Sequence, residues 1–562
     1  MTNQALIECV PNFSEGRDLA IIKQITDAIE SVEGVQLLDV DPGKATNRTV
    51  VTFVGAPEAI VEAAFRGIQK AVELIDMSQH EGEHPRMGAT DVCPLIPISN
   101  ISMEETAEWA HKLAKRVGEE LDIPVYMYEN AATSPKRKNL AQIRSGEYEA
   151  LLDKLKKPEW KPDYGPAKFN AKAGATVIGA RDFLIAYNVN LNTTSVRRAN
   201  SVAFDVREQG RVKRINNPIT GEIVRDDQGE PEREPGMLKA VKGIGWFIEE
   251  YGIAQVSMNL TNISITPIHE AFEACRKSAE SRGMRVTGSE LVGMIPLQAM
   301  LDAGKYFLRK QERSLGISEE ELIKIAVKSM GLDELTPFDP DKKIIEYKLR
   351  DKSDAPLIHL SLKNFANETA SESVAPGGGS TAAYVGALGI SLGTMVANLS
   401  SHKRGWDERW EFFSDWAEKG QRIKDELLGL VDEDTKAFNK ILEAFRMPKG
   451  TDEEKAARKQ AIQAATKFAI EVPFKTLQLA FASFELLKVM VQEGNPNSAS
   501  DAGVGALCAR AAVQGALLNV QTNVSGLEDK DFANEVLRKA EAMAQQANEL
   551  EMEILAIARS KM

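Results

Sequence analysis

The stretch TPFDPDKKIIEYKLRDKSDAP, residues 336–356, divides this chain of 562 residues into two parts of different character. It contains three prolines and many charged side chains, which is typical of a linker. Before it, strand and helix signals alternate; after it, strand signals vanish and long helical patterns rich in Ala and Leu take over. The sequence therefore predicts a multidomain protein, in which an α+β part is followed by an all-α helical domain at 357–562.

The α+β part contains two separate groups of strand signals. Residues 6–128 follow the order β-α-β-β-α-β-α-β, which indicates helices covering one face of a mixed sheet. A second group begins near Arg181, where apolar residues alternate between 183 and 191. We therefore expect two helix-on-sheet subdomains, at 1–180 and 181–335, with a polar, hairpin-like excursion at 211–237.

Composition restricts the class of protein. The formal net charge of −13 argues against a nucleic-acid partner. Four separated cysteines form no CxxC pair, and the N-terminus lacks a signal-peptide pattern, so a cytoplasmic protein is expected. The uncharged run from Ala375 to Ser401 is rich in Gly, Ser and Thr, which favours a buried bundle helix over a membrane span.

Two of the six histidines lie in the segment His80–His84, which reads HEGEH. These letters fit the zinc-peptidase pattern H-E-x-x-H, which requires a helix so that both histidines share one face. Gly82 and Pro85 oppose a helix here. The segment is open to three interpretations: a zinc site, a proton-transfer site, or a surface turn with incidental histidines.

Five long strings occur in order along the chain: CVPNFSEG at 9–16, LLDVDPGKATNRTV at 37–50, GEHPRMGATDVCP at 82–94, GATVIGARDFLIAYNVNL at 174–191 and KGIGW at 242–246. Together they resemble the formimidoyltransferase-cyclodeaminase family over almost the whole chain. The resemblance implies a bifunctional enzyme of histidine degradation. Its first reaction transfers a formimino group from N-formimidoyl-L-glutamate to tetrahydrofolate. Its second converts 5-formimidoyltetrahydrofolate into 5,10-methenyltetrahydrofolate and ammonia.

In the first reaction N5 of the folate must lose a proton and the departing glutamate nitrogen must gain one. One base can serve both steps, and the resemblance places it at His84. Asp41 is a candidate to orient His84 or to stabilise the amidinium. Arg48 and Arg86 are candidates to bind substrate carboxylates through bidentate contacts, although each could equally form a structural ion pair.

The resemblance also implies a folate-binding segment between the two subdomains. From the residues alone, the same segment reads as a flexible loop or as a plain interdomain linker. It consists of Gly165, Pro166, Ala167, Lys168, Phe169, Asn170, Ala171, Lys172, Ala173 and Gly174.

In the helical domain one carboxylate interrupts an apolar stripe. The stripe has helical spacing and consists of Ile423, Leu427, Leu430, Asp434, Phe438, Ile441 and Phe445. Burial raises the pKa of a carboxyl group, as a general acid at neutral pH requires, although a hydrogen-bonded structural Asp is the other interpretation. The string LVDEDTKAF resembles the family's cyclodeaminase segment, whose active-site aspartate falls on Asp434.

Two loops are expected to complete this second site, unless they only cap helices. Their candidate residues are Gly377, Gly378, Gly379 and Ser380 in one loop and Asn497 and Asp501 in the other. The resemblance further implies polyglutamylated tetrahydrofolate as a substrate, no metal, and a homo-oligomer with a contact on the helix at 379–399. The alternatives that remain at this stage are a zinc-dependent hydrolase and a non-catalytic folate-binding scaffold.

Overall fold

The structure is a computed structural model that describes residues 5–44, 46–82, 85–216, 221–350 and 355–562. The chain forms two compact units. We call them the N-terminal unit, formed by Met1–Ala299 and Met330–Lys348, and the C-terminal unit, formed by Met300–Ser329 and Leu349–Met562.

The first sheet of the N-terminal unit is mixed; its three long helices cover one face, and two short helices pack on part of the other. β1 and β2 occupy one strand position, because both pair with β4 on one side and β5 on the other. β3 extends the sheet beyond β4, and β7 and β6 extend it in parallel beyond β5. The elements are β1 (Leu6–Cys9), β2 (Asn12–Phe13), α1 (Leu19–Glu30), β3 (Val35–Gly43), β4 (Arg48–Gly55), α2 (Pro57–Leu74), β5 (Thr90–Ser99), α3 (Met103–Glu120), β6 (Val125–Glu129), α4 (Leu140–Arg144), α5 (Leu151–Lys154) and β7 (Thr176–Ala180).

The second sheet is antiparallel in the order β11-β12-β8-β13. In the described part of the excursion at 211–237, β9 pairs with β10 as the predicted hairpin requires. The elements are β8 (Ile185–Leu191), α6 (Val196–Val206), β9 (Arg211–Val212), β10 (Arg233–Glu234), β11 (Val241–Ile248), β12 (Ile253–Leu260), α7 (Ile268–Glu280), β13 (Val286–Val292), α10 (Pro340–Lys343) and α11 (Ile345–Leu349). Between β13 and α10, α8 (Leu297–Lys310) and α9 (Glu319–Met330) lie mainly in the C-terminal unit.

The segment 300–329, expected in the second α+β subdomain, packs instead within the C-terminal unit. The carbonyl of Gly316 accepts hydrogen bonds from the side-chain amides of Asn398 and Gln421, at 2.8 and 3.0 Å. The amide of Leu315 donates to the Ser414 hydroxyl at 3.0 Å. These contacts join residues about 80 to 105 positions apart, so local sequence patterns do not reveal them.

The expected linker at 336–356 is folded over much of its length. It contains α10 and α11, and its Ile344 and Ile345 are buried. Ile344 forms a β-bridge with Ile295. The charged residues of this stretch therefore surround a short packed segment of the N-terminal unit, which composition alone does not reveal.

Beyond the linker the described C-terminal unit is helical, as the sequence predicts. Its elements are α12 (Leu362–Thr369), α13 (Gly378–Ser401), α14 (Trp410–Arg446), α15 (Asp452–Glu493), α16 (Ala499–Val524) and α17 (Lys530–Lys561). The helices share one core of Leu, Ile, Val and many Ala residues. Alanine and glycine permit the helix backbones to approach closely: a methyl group added at Gly389 would lie 2.9 Å from the Gly505 carbonyl oxygen.

Two helical stretches, Gly378–Ser401 and Pro496–Val524, are long and apolar enough to cross a membrane by length and composition alone. In the most apolar part of each, 56% and 44% of the residues are buried inside the bundle. Packing in a helical bundle therefore accounts for the small-residue composition of α13.

A buried carboxylate anchors the chain where it enters the bundle. Asp432 is 4% exposed, and its two oxygens accept hydrogen bonds from the backbone amides of Leu357 and Ile358, at 2.8 and 3.1 Å. Each oxygen therefore replaces water with one N–H donor, and Leu357 is held against the core.

We predict that Asp432→Ala lowers the free energy of unfolding by roughly 2–4 kcal/mol, since two backbone N–H groups lose a charged acceptor. Urea unfolding of the full chain, followed by helical circular dichroism, measures this. Asp425→Ala is the control, because that side chain is 60% exposed on the same helix and its loss should cost less than about 0.5 kcal/mol. Equal losses in both variants would contradict an anchoring role for Asp432.

Candidate functional site

The N-terminal unit contains a cavity of about 750 Å³ between its two sheets, a size typical of small-molecule sites. Strand alternation determines which side chains line the cavity, because successive side chains of a strand point to opposite faces of the sheet. Ile7 and Cys9 pack beneath the helices, whereas Glu8 lines the cavity. The second sheet contributes Ala186 and Asn259 to the opposite wall.

Two predicted residues, Asp41 and Arg48, line this cavity. Burial lowers the pKa of Arg48 to about 10, while the nearby carboxylate of Asp91 acts to raise it and Arg144 acts to lower it again. At neutral pH Arg48 therefore remains a cation inside the cavity wall. This position suits a ligand carboxylate, so the clamp interpretation of Arg48 stays a prediction that the geometry favours.

Asp91 and Arg144 form a buried ion pair that the sequence analysis missed. The guanidinium of Arg144 donates to both carboxylate oxygens, from Nε at 3.2 Å and from a terminal nitrogen. Asp91 also accepts the amide of Met87 at 3.1 Å, which fixes the chain just after Pro85 and Arg86. A carboxylate inside the apolar start of β5 was the signal in the sequence, but its partner lies 53 residues away.

Arg86 is engaged by protein groups and does not line the cavity. Its guanidinium contacts Glu147 at 3.1 Å and Glu149 at 2.7 Å, and also donates to the His80 carbonyl at 3.2 Å. These contacts favour the structural ion pair that the sequence left open, rather than a substrate clamp. Arg86 thereby ties the segment before β5 to the loop at 147–149.

His84 and Glu83 lie outside the described residues. Pro85, which follows His84 in the chain, lines the cavity. His80–Gly82, Pro85 and Arg86 lie outside any helix. Both ring nitrogens of His80 have protein partners, since Nε2 donates to the Asn47 carbonyl at 2.8 Å and Nδ1 accepts from Arg86 at 3.3 Å. His80 is therefore poorly suited to bind zinc without losing one of these bonds.

Across the described ranges, no group of three or more His, Cys, Asp or Glu side chains is arranged to hold a metal ion. The HEGEH segment is only partly described, so this finding concerns the rest of the chain. The engaged nitrogens of His80 remain the structural argument against the zinc interpretation.

The expected folate-binding segment 165–174 forms a loop beside the cavity but does not line it. Its C-terminal half is well anchored: the Asn170 side chain accepts the amides of Lys172 and Ala173, and the Tyr148 hydroxyl donates to the Ala171 carbonyl. Tyr148 follows Gly146 and Glu147, which do line the cavity. The segment therefore adjoins the cavity edge at 146–148 and is not a wall between the subdomains.

In the C-terminal unit the structure brings Asp434 and the loop at 377–380 together. One carboxylate oxygen of Asp434 accepts from the backbone amide of Ser380 at 2.9 Å and from its hydroxyl at 3.2 Å. Gly379 lies against the same group, because a methyl group added there would be 2.1 Å from the other oxygen. Asp434 thus sits at the N-terminus of α13, where helix amides favour an anion.

Burial raises the pKa of Asp434, although the hydrogen bonds from Ser380 act to lower it. The apolar stripe around Asp434 is buried only in part, since Leu427 and Leu430 are in the core whereas Phe438 and Phe445 are exposed. Asp434 therefore lies where the stripe emerges from the core. This position gives its carboxyl group both partial burial and access, as a general acid needs.

Within one chain the second predicted loop does not reach Asp434. The amide of Asn495 donates to the Ser400 hydroxyl at 2.8 Å, which places the loop with Asn497 and Asp501 at the C-terminal end of α13. Ser380 lies at the other end, roughly 30 Å away along the helix. The structure therefore does not bring the two loops together within one chain, and Asn519, on α16, is the side chain beside Gly378.

The fold and these centres define a multidomain protein with a small-molecule cavity in an α/β unit and a partly buried carboxyl group in a helical bundle. Three family models match it in order. They are described as "Formiminotransferase domain, N-terminal subdomain" at residues 6–181, "Formiminotransferase domain" at 186–350 and "Formiminotransferase-cyclodeaminase" at 361–542.

Curated relatives match the whole chain and its parts. The formimidoyltransferase-cyclodeaminase of Gallus gallus is 43% identical over 98% of this chain and 98% of its own length. The glutamate formimidoyltransferase of Thermoplasma acidophilum is 45% identical over 54% of this chain and 93% of its own length. The methenyltetrahydrofolate cyclohydrolase of Methylorubrum extorquens is 37% identical over 36% of this chain and 97% of its own length. The chain belongs to the formimidoyltransferase-cyclodeaminase family.

We predict that Gly379→Ala destabilises the protein by roughly 1–3 kcal/mol, because its methyl group must displace the Asp434 carboxylate. Gly378→Ala is a matched control on the same first turn, since its methyl group would meet only Asn519 at 3.6 Å. The control should be neutral or slightly stabilising. Thermal unfolding of both variants tests the contact, and equal melting temperatures would contradict it.

Proposed function

We propose that this protein catalyses two consecutive reactions of folate metabolism in histidine degradation. It transfers the formimino group from N-formimidoyl-L-glutamate to tetrahydrofolate, giving 5-formimidoyltetrahydrofolate and glutamate. As an ammonia-lyase it then closes the ring to 5,10-methenyltetrahydrofolate and releases ammonia. The observation that carries this proposal is the end-to-end match to a protein named for both activities, joined to separate matches to a transferase and a folate cyclohydrolase.

For the transfer step we assign His84 as the base that removes the N5 proton and returns a proton to the glutamate nitrogen. A positioned base is typically worth about 10²–10⁴ in rate. Asp41 and Arg48 line the cavity next to Pro85, which supports their roles toward the amidinium and a substrate carboxylate. Arg86 acts indirectly, because its ion pairs hold the segment that carries His84.

For the ring closure we assign Asp434 as the acid. N10 attacks the formimino carbon and loses its proton, the C–N bond to the departing nitrogen breaks, and that nitrogen leaves as ammonia after gaining a proton, which Asp434 can relay from N10. The Ser380 bonds occupy one carboxyl oxygen, so the other is available to the substrate. The raised pKa of Asp434 supports this role, since a protonated carboxyl group can donate.

Tetrahydrofolate is the shared substrate, and we propose that it is polyglutamylated and that no metal takes part. The loop 165–174 is suited to the folate tail, because it adjoins the cavity edge and carries the exposed cation Lys168. Cationic side chains at this edge would attract the carboxylates of a glutamate tail.

We further propose a cytoplasmic homo-oligomer. Four free cysteines support a reduced compartment. Exposed apolar residues occur on the adjacent helices α13 and α16, among them Leu388, Leu399, Val504 and Leu518. Exposed apolar side chains on two packed helices are typical of a subunit contact. One of the two helices is α13, on which a subunit contact is expected at 379–399.

We predict that His84→Ala lowers transfer by roughly 10²–10⁴-fold and leaves cyclodeamination of supplied 5-formimidoyltetrahydrofolate unchanged. The reason is that His84 and Asp434 belong to different compact units. Glutamate release measures the first activity, and methenyltetrahydrofolate absorbance measures the second. His80→Asn serves as the neighbouring control and should retain most of the transfer rate.

Loss of both activities in a folded His84→Ala variant would contradict separate sites. Treatment with a chelator should leave transfer intact. If zinc restored transfer after chelation, the zinc interpretation of HEGEH would replace the proton-transfer role of His84.

We predict that Asp434→Asn stops ammonia release while transfer continues, so that 5-formimidoyltetrahydrofolate accumulates. Burial raises the pKa of Asp434, so the wild-type protein loses stability as pH rises from the ordinary Asp pKa through the raised one. The Asn variant avoids that cost. It should therefore melt at or above the wild-type temperature at pH 8, with the difference shrinking toward pH 4.

A purely structural Asp434 would behave differently: the Asn variant would melt lower, and ammonia release would fall only as the protein unfolds. Melting temperature and both rates, measured on one preparation, separate the two roles. Wild-type ammonia release in a stable Asn variant would disprove the assignment.

A further inference from the structure

The cavity of the N-terminal unit contains a carboxyl group that has no hydrogen-bond partner among the described residues. Glu8 is 3% exposed and lines the cavity. In the described chain its carboxyl group forms no hydrogen bond and no ion pair, although it feels the charges of Arg181 and Glu346. A buried carboxyl group in this condition is costly, which points to a ligand that supplies the missing hydrogen bonds.

The sheet fixes where Glu8 points. Glu8 lies in register between Val54 and Ile96 at the centre of the sheet, and its neighbours Ile7 and Cys9 face the helices. Burial raises the pKa of Glu8 to about 7, opposed by Arg181 and reinforced by Glu346. Ionising Glu8 in this position therefore costs more than ionising an exposed carboxyl group, and N–H donors from a ligand would offset that cost.

A second unsatisfied acceptor lies on the same face. Asn12 is 5% exposed, its side-chain amide donates to the Val10 carbonyl at 2.9 Å, and its Oδ1 atom is buried without a partner. Asn12 is four residues beyond Glu8, about 13 Å along the strand direction. One wall of the cavity thus presents the Glu8 carboxyl group and the Asn12 Oδ1 atom, which accept no hydrogen bond from the described residues and are separated by the apolar side chain of Val10.

These acceptors require a ligand with N–H donors and an apolar body. N-formimidoyl-L-glutamate also has N–H donors, on its amidinium group, but it has no ring to pack against the apolar side chains beside Glu8, and its own carboxylates repel an ionised Glu8. Tetrahydrofolate has a pterin ring whose 2-amino-4-oxopyrimidine edge carries the N3–H and the 2-amino donors side by side. That pair matches the two oxygens of one carboxylate, and the ring can pack against Val10, Pro94 and Ile96.

We propose that Glu8 binds the pterin ring of tetrahydrofolate by accepting hydrogen bonds from N3–H and the 2-amino group. This assignment rests on the proposed transferase function and adds the residue that recognises the folate. The ring then extends from Glu8 toward Asn12, whose free oxygen accepts an N–H of the bound substrates. The folate tail leaves past residues 146–148 toward the loop 165–174.

The test is the kinetics of Glu8→Gln in the full chain. Glutamine keeps the shape but replaces one acceptor with a donor, so the KM for tetrahydrofolate should rise roughly 10- to 100-fold. The KM for N-formimidoyl-L-glutamate and the cyclodeamination of supplied 5-formimidoyltetrahydrofolate should stay within about threefold. Glu8→Asp keeps both oxygens and should recover part of the loss. Glu120→Gln is the control, because it removes a carboxylate of the same unit that is exposed on α3 and does not line the cavity.

A ligand change makes the test independent of the variants. Wild-type protein should bind 2-desaminotetrahydrofolate, which lacks the exocyclic amino group, roughly 10-fold or more weakly than tetrahydrofolate. In Glu8→Gln that discrimination should largely vanish, because both changes remove the same contact. If Glu8 had only a structural role, the Glu8→Gln variant would melt at a lower temperature than the wild type. It would also still bind tetrahydrofolate more tightly than the desamino analogue.

Three results would overturn the assignment: an unchanged KM for tetrahydrofolate, an equal rise for Glu120→Gln, or no discrimination against the desamino analogue by the wild type. Failure of the proposed function is a separate outcome, since wild-type protein would then release no glutamate from N-formimidoyl-L-glutamate and tetrahydrofolate.

Discussion

Removing a carboxyl group from water costs free energy unless hydrogen bonds replace those to water. Three carboxyl groups of this protein differ in how far the chain supplies such bonds. Asp432 receives two backbone amides and anchors the chain. Asp434 receives Ser380 on one oxygen, so its carboxyl group is held but not saturated. Glu8 receives no hydrogen bond from the described chain, and burial raises its pKa to about 7. A carboxyl group that accepts fewer hydrogen bonds from the protein has more oxygen lone pairs available to a ligand.

The two proposed reactions suit this arrangement, because each transfers protons between nitrogen atoms. In the N-terminal unit, polar side chains on facing sheets prevent close packing and leave a cavity for two substrates. In the C-terminal unit, small residues bring the helices together, and the N-terminus of α13 meets Asp434. Each unit thus builds its centre from its own secondary structure, α/β in one case and helical in the other.

Much of this architecture could be predicted from the sequence, because alternation in strands and three-to-four spacing in helices are local signals. The β8 alternation and the helical domain are confirmed. Long-range contacts were beyond such reasoning. The segment 300–329 joins the helical unit through the Gly316 carbonyl, and within one chain the loop with Asn497 lies at the opposite end of α13 from Ser380.

The candidate site was predictable to the extent that it lies in recognisable strings. Asp41, Arg48, Asp434 and the glycines before Ser380 were found in this way. Glu8 and Asn12 lie in or beside the first string but look like ordinary strand residues until the sheet shows which face they occupy. Arg86 looked like a ligand-binding cation because its partners, Glu147 and Glu149, lie more than 60 residues away.

The most direct measurement is the stoichiometry of the complete reaction with wild-type protein. N-formimidoyl-L-glutamate and tetrahydrofolate would be supplied without added metal, and glutamate, ammonia and methenyltetrahydrofolate would be followed together. The account predicts equal amounts of all three products. Glutamate without ammonia would contradict a working centre at Asp434, and no glutamate at all would contradict the transferase.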